Sequence, residues 1–151
     1  MGLKVGENIP QFSLEDQEGN IFDISAIKGK KPIVIFFYPK DNTPGCTKEA
    51  CAFRDSYEDF TDLGAEVIGI SSDSSSTHKR FGARYNLPFT LLSDPDGKVR
   101  KQFRVKGHLL NLLPGRETYV VNKEGKVVMV YNNMNASNHM EKALDALKGM
   151  K

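Results

Sequence analysis

The spacing of hydrophobic positions changes along the chain, and each change marks an element. Residues Phe12 to Ser25 (FSLEDQEGNIFDIS) read as two short strands joined by a turn at Asp16 to Gly19. Ile33 to Tyr38 is an unbroken β-branched and aromatic run, the pattern of a strand buried on both faces. After a loop at Pro39 to Asn42 the period becomes helical. Ala50, Phe53, Tyr57 and Phe60 recur at steps of three and four, predicting a helix from Pro44 to about Leu63 that Gly64 stops. Glu66 to Ser71 is a second buried strand. The serine-rich stretch Ser71 to Ser76 leads into a helix running to about Asn86, with Phe81 and Tyr85 on one face.

Pro88 to Leu92 reads as a short strand and Ser93 to Lys98 (SDPDGK) as a turn. Thr118 to Val121 and Lys126 to Tyr131 form a hairpin around Asn122 to Gly125. A closing helix spans roughly Ala136 to Leu147, with Leu144 and Leu147 facing inward. No repeat or linker interrupts this order, so residues 1–151 are expected to form one α/β domain. Strand–helix–strand units followed by a hairpin and a C-terminal helix predict a thioredoxin-like fold: a central mixed β-sheet flanked by helices, with an N-terminal β-hairpin.

Composition narrows the class. The 151 residues can bury a core unaided, and 39% hydrophobic with 26% charged residues is ordinary for a globular protein. The longest strongly apolar run, Ile33 to Tyr38, is far short of a membrane span. The start MGLKVGENIP lacks the apolar centre of an export signal, and Gly6 stands where a myristoylation motif needs Ser or Thr. No membrane association is expected. A formal charge of +2 does not call for a polyanionic partner. The basic segment Val99 to Lys106 (VRKQFRVK) reads as a solvated face, because a nucleic-acid footprint needs a broader patch. The serines at 71–76 read as loop and cap, since no strand–G-x-S-x-G–helix turn surrounds them.

The chemistry concentrates in YPKDNTPGCTKEAC, Tyr38 to Cys51, which holds both cysteines of the chain. Thr43 followed by Pro44 is a helix start, with Thr as N-cap. Cys46 is then the third helical residue, beside unpaired backbone N–H groups and the positive end of the helix dipole, which predicts a lowered thiol pKa and a reactive sulfur. Lying four before Ala50, it continues the apolar stripe and should face the body of the protein. Cys51 is turned about 140° from it, and their Cα atoms are about 8.6 Å apart in a regular helix, beyond the reach of a disulfide. A bond between them requires the first turns to unwind.

A metal site is disfavoured because His78, His108 and His139 are scattered and C-x4-C alone gives no ligand cluster. A permanent disulfide is disfavoured by the distance, and an inert core thiol is plausible for Cys51 but not for Cys46. A dithiol oxidoreductase acting on protein disulfides remains the main alternative, although such enzymes use C-x-x-C. An interaction module that keeps the fold without the chemistry also stays open.

Taken together, YPKDNTPGCTKEACAFRD resembles the peroxiredoxins, with Pro39, Thr43 and Cys46 in their P-x3-T-x2-C arrangement. Cys51 five residues later resembles the bacterioferritin-comigratory-protein or peroxiredoxin Q subgroup. VIGISSDSSSTHKRF, LPFTLLSD, LLPGRETYVVNKEGKV and VYNN extend the likeness over essentially the whole chain. The resemblance implies a thiol peroxidase that reduces hydrogen peroxide and alkyl hydroperoxides with no metal or organic cofactor. It implies Arg116, delivered by a turn at Pro114-Gly115, beside the Cys46 thiolate, Glu49 orienting that Arg, Pro39 shielding the pocket and the Thr43 hydroxyl donating to peroxide. It further implies a Cys46 sulfenic acid, a Cys46–Cys51 disulfide and recycling by thioredoxin or glutaredoxin. A resolving cysteine in the same helix removes the need for a second subunit, so a monomer is the expectation. A bacterial cytoplasm fits, and a plastid protein stripped of its transit peptide would look the same.

Overall fold

Ile33–Phe37 forms an interior strand because its side chains are apolar on both faces, and all five residues are buried. The computed structural model describes residues 2–105 and 115–150. The strands are β1 (Ser13–Glu15), β2 (Ile21–Asp23), β3 (Ile33–Phe37), β4 (Glu66–Ser71), β5 (Thr90–Ser93), β6 (Glu117–Val121) and β7 (Val127–Asn132). The helices are α1 (Pro44–Asp55), α2 (Tyr57–Asp62), α3 (Ser75–Tyr85), α4 (Lys98–Gln102) and α5 (His139–Gly149), with a 3-10 turn at Ile24–Ala26. The sheet order is β2-β1-β5-β4-β3-β6-β7. β3 runs parallel to β4 and β4 to β5, whereas β6, β7 and the N-terminal hairpin pair antiparallel. This is the mixed sheet expected from the pattern.

Alternation along β3 divides the core. Val34, Phe36 and Tyr38 enter one cluster with Cys46, Ala50 and Phe53 of α1, Phe60 of α2, Phe81 of α3 and Leu147 of α5. Ile33, Ile35 and Phe37 enter the other, covered by Leu3, Ile9, Phe12 and Ile24 of the N-terminal segment and by Val99 and Phe103 around α4. The four longer helices therefore share one face, and the second is closed mainly by the N-terminal chain. Gly69 leaves room for the Phe36 ring, since a Cβ there would stand 2.7 Å from its Cζ.

Three sequence expectations need correction. The single helix over 44–63 breaks at Ser56, whose φ of −107° and ψ of 10° are not helical. Phe60 is consequently fully buried, while Tyr57 stays at the edge of the core. The last helix starts at His139, three residues later than read. The chain before it is engaged in side-chain turns, with Asn133 Oδ1 accepting from Asn135 N and Asn135 Oδ1 from Ser137 N, and Asn138 holds a left-handed φ of 75°. Finally, the basic segment is not uniformly solvated. Lys98, Lys101 and Arg104 are exposed, but Val99 and Phe103 are core residues and Arg100 turns inward. His108 and Pro114 lie outside the described residues.

Candidate active site

The sheet register sets the place where the site assembles. β6 pairs antiparallel with β3, Phe37 opposite Glu117, so the start of β6 lies beside the end of β3. β3 leads through the Pro39–Thr43 loop into α1, and Arg116 immediately precedes β6. The end of β7 adjoins as well, because Asn132 pairs with Glu117 and Asn133 N donates to the Arg116 carbonyl. Three chain segments distant in sequence thus converge.

Cys46 sits in the first turn of α1, only 1% exposed, as the stripe predicted. Arg116 Nη2 donates to Cys46 Sγ at 3.2 Å. The same guanidinium donates from Nη1 to Glu49 Oε1 at 2.5 Å and from Nε to the Met134 carbonyl at 3.0 Å. All three edges of the Arg fork are thereby fixed, and a charge-assisted donor faces the sulfur. Gly45 makes room for it: a Cβ there would stand 3.2 Å from Arg116 Nη2. The glycine in PGC is the signal that could have revealed this approach.

Glu49 is 1% exposed, and burial raises its carboxyl to about 7 even though Arg116 pulls it down. Its second oxygen, Oε2, has no hydrogen-bond partner among the described residues and lies 3.4 Å from His139 Nδ1. His139 is fully buried; its Nε2 donates to the Asn133 carbonyl at 2.7 Å, and its Nδ1 accepts from the Thr118 hydroxyl at 2.7 Å. Burial, opposed by the bond to the Asn133 carbonyl and aided by the Arg116 charge, lowers this imidazole to about 4. A neutral ring is the form that suits both contacts. His139 was unassigned by the sequence, because nothing in its neighbourhood there reveals that α5 begins against Glu49.

Thr43 occupies the N-cap position of α1, its carbonyl accepting from Thr47 N, but its side chain does not cap the helix. The hydroxyl donates instead to the Lys40 carbonyl at 2.8 Å. In this arrangement its one proton is engaged, leaving the oxygen lone pairs free. Pro39 is half-buried at the end of β3. Cys51 is half-buried on the same regular helix, and both cysteines are free thiols. The two sulfurs are not brought together.

His78, read as scattered, is fully buried and anchors the Pro39–Thr43 loop. Its Nδ1 lies 2.6 Å from Asp41 Oδ2 and its Nε2 3.0 Å from the Leu92 carbonyl. Asp41 Oδ1 accepts from the Tyr38 hydroxyl at 2.6 Å, and Asp73 Oδ2 accepts from Asp41 N at 2.7 Å. Although Asp41, Asp73 and His78 lie close enough to share a cation, their facing atoms are engaged in these bonds, so the cluster acts as a brace.

Glu49 and His139 oppose each other in pH dependence. The folded value of Glu49 lies above its ordinary 4.5, so its contribution is full below pH 4.5 and is lost as pH rises through about 7. The folded value of His139 lies below its ordinary 6.5, so its contribution is full above pH 6.5 and is lost as pH falls through about 4. Between these limits the slopes oppose, each up to about 1.4 kcal/mol per pH unit. Glu49→Gln should therefore make stability climb with pH between about 4 and 6.5, read from urea midpoints across pH. Curves parallel to the wild type would contradict the assignment.

A buried cysteine at a helix start, with a guanidinium held against its sulfur by a buried carboxylate, on a thioredoxin-like α/β fold, defines a cysteine-based redox enzyme. The sequence profile of the AhpC/TSA family matches residues 5–130, and the chain belongs to that family. It is 55% identical over 147 residues to chloroplastic peroxiredoxin Q of Sedum lineare, covering 97% of this chain and 78% of that protein. The crystal structure of the peroxidoxin BcpB from Mycobacterium tuberculosis is 38% identical, with a TM-score of 0.91 and 99% of both chains covered. The bacterioferritin comigratory protein of Xanthomonas campestris, studied for alkyl peroxide reduction in trapped intermediate and ligand complexes, is 32% identical. Its TM-score is 0.85, with 92% of this chain and 91% of that one covered. Among the described residues no helix is long and apolar enough to cross a membrane.

Proposed function

We infer that the chain is a thiol peroxidase in which Cys46 is the nucleophile. The observation that carries this reading is the Arg116 donor 3.2 Å from a buried first-turn sulfur. The Cys46 thiolate attacks one oxygen of the O–O bond; an S–O bond forms, the O–O bond breaks, and the second oxygen leaves as hydroxide or alkoxide and takes up a proton. Sulfur is oxidised to a sulfenic acid that keeps the attacked oxygen, and the departing oxygen, protonated from solvent, becomes water from hydrogen peroxide or the alcohol from an alkyl hydroperoxide. Negative charge moves from sulfur to the departing oxygen. A fixed guanidinium lowers the barrier because its donors need not reorganise as charge moves. The Thr43 hydroxyl, whose own proton goes to the Lys40 carbonyl, accepts a hydrogen bond from the peroxide O–H. Pro39 limits water at the rim, and Glu49 acts through Arg116.

The sulfenic acid then condenses with the Cys51 thiol, releasing water and leaving a disulfide. α1 is intact with both thiols free, so this step needs its first turns to unwind. A dithiol protein of the thioredoxin or glutaredoxin kind reverses it by exchange. The resolving thiol lies on the same chain, which supports a monomeric catalytic cycle. The plant relatives are chloroplastic, which supports the plastid alternative for this chain.

Peroxide consumption with a thioredoxin system tests the reading, and Cys51→Ser tests its order of steps. That variant should consume one equivalent of hydrogen peroxide at the wild-type rate and stop, holding a sulfenic acid that dimedone traps. Continued recycling by thioredoxin would show that the resolver is misassigned. Insulin reduction without peroxide consumption would favour the dithiol-exchange alternative.

A further inference from the structure

Among the described basic residues of the 99–106 segment Arg100 turns inward, and local structure aims it. Asp94 is 3% exposed and caps α4 with both oxygens, Oδ1 accepting from Val99 N at 3.1 Å and Oδ2 from Arg100 N at 2.9 Å. Gly97, at a φ of 67°, makes the turn that lets Asp94 reach them. The side chain then passes over the Phe37 ring, its guanidinium carbon 5.5 Å from the centroid. Nη1 donates to the Gly115 carbonyl at 2.7 Å and Nη2 to the Tyr38 carbonyl at 2.9 Å.

These two acceptors are not arbitrary backbone positions. Tyr38 immediately precedes Pro39 and the loop that ends at Thr43; Gly115 immediately precedes Arg116. β3 and β6 pair only as far as Phe37 and Glu117, so beyond that rung no ladder hydrogen bond joins the two strands' continuations. Arg100 supplies the next link.

We propose that Arg100 is a positioning residue for this site: by spanning the Tyr38 and Gly115 carbonyls it fixes the spacing between the Thr43 loop and the Arg116 guanidinium across Cys46. The proposal rests on the peroxidase reading and adds a residue to it. Only a planar fork with two separated donors can hold both carbonyls at once; a lysine keeps the charge and loses the span. Transition-state donors misplaced by about 1 Å can cost about a hundredfold in rate.

The test is the stopped-flow rate of Cys46 oxidation by hydrogen peroxide in the full chain, across pH, for wild type, Arg100→Lys, Arg100→Gln and Val99→Ala. Val99 is buried on the same helix, in the core cluster with Phe37 and Phe103, and its side chain has no donor for either carbonyl, so its truncation destabilises without removing the span. Both Arg100 variants should oxidise about ten- to a hundredfold more slowly. Arg100→Lys should keep the wild-type midpoint of the pH–rate profile at a lower plateau. Val99→Ala should melt at a lower temperature and oxidise at the wild-type rate. An Arg100→Lys protein as fast as wild type would overturn the span, leaving only charge. Rates that fall with melting temperature in all three variants would overturn it in favour of plain destabilisation. A wild type that peroxide does not oxidise would sink the peroxidase reading itself, a separate outcome.

Discussion

Cys46→Ser should end peroxide consumption, by at least about 10⁴-fold, while the protein stays folded. A serine hydroxyl is not ionised at neutral pH and its oxygen is a poor nucleophile toward another oxygen, so the contact with Arg116 gains nothing chemically. The substitution is close to isosteric in a site only 1% exposed, and the hydroxyl can still accept from Arg116 Nη2. The stability change should remain near the 1 kcal/mol typical of point mutations. Stopped-flow peroxide consumption with circular dichroism as the folding control checks both halves. Measurable turnover in this variant would remove Cys46 from the mechanism.

Arg116→Ala is the second large effect, and it acts on rate and stability together. Removing one preorganised donor at developing charge costs about 10²- to 10³-fold in analogous sites, and here the donor also holds the sulfur at 3.2 Å. An Arg with a purely catalytic role would be lost with little effect on stability. The structure says otherwise, because Arg116 is 4% exposed and is the ionic partner of the fully buried Glu49. Breaking such a pair from one side costs about 3–5 kcal/mol when the remaining charge stays ionised. Glu49 escapes part of that by taking a proton, being already pushed up to about 7 with its partner present. The stability loss should therefore grow as pH rises above neutrality. Arg116→Lys should not rescue the rate, since one ammonium cannot serve Cys46, Glu49 and the Met134 carbonyl together. An Arg116→Ala protein with wild-type oxidation kinetics would eliminate the transition-state role.

The candidate site was legible where chemistry is local. A Thr-Pro helix start three residues before Cys46, and an apolar stripe that carries its sulfur inward, are properties of one contiguous segment. Cys51 was found on the same terms, since a fixed rise and rotation per residue determine its distance. The break at Ser56 and the late start of α5 were not legible. They depend on Phe60 reaching the core and on Asn133 and Asn135 closing side-chain turns, and those choices are settled by packing rather than propensity. Arg100 was misread for a related reason: a basic run looks solvated until a short helix turns one of its members toward two carbonyls.

The chain's own order of residues determined the strands, the first helix, the inward sulfur and the impossibility of a disulfide while that helix is intact, because each follows from periodicity and helix geometry within a few residues. Resemblance implied Arg116 and Glu49 beside Cys46, but tertiary structure decided that they are buried there and that His139 joins them. That convergence comes from antiparallel pairing of β6 with β3 and of β7 with β6, which brings segments about seventy and ninety residues apart to one sheet end. Charged groups far apart along the chain became buried partners there, and burial is what gives their mutual contacts strength.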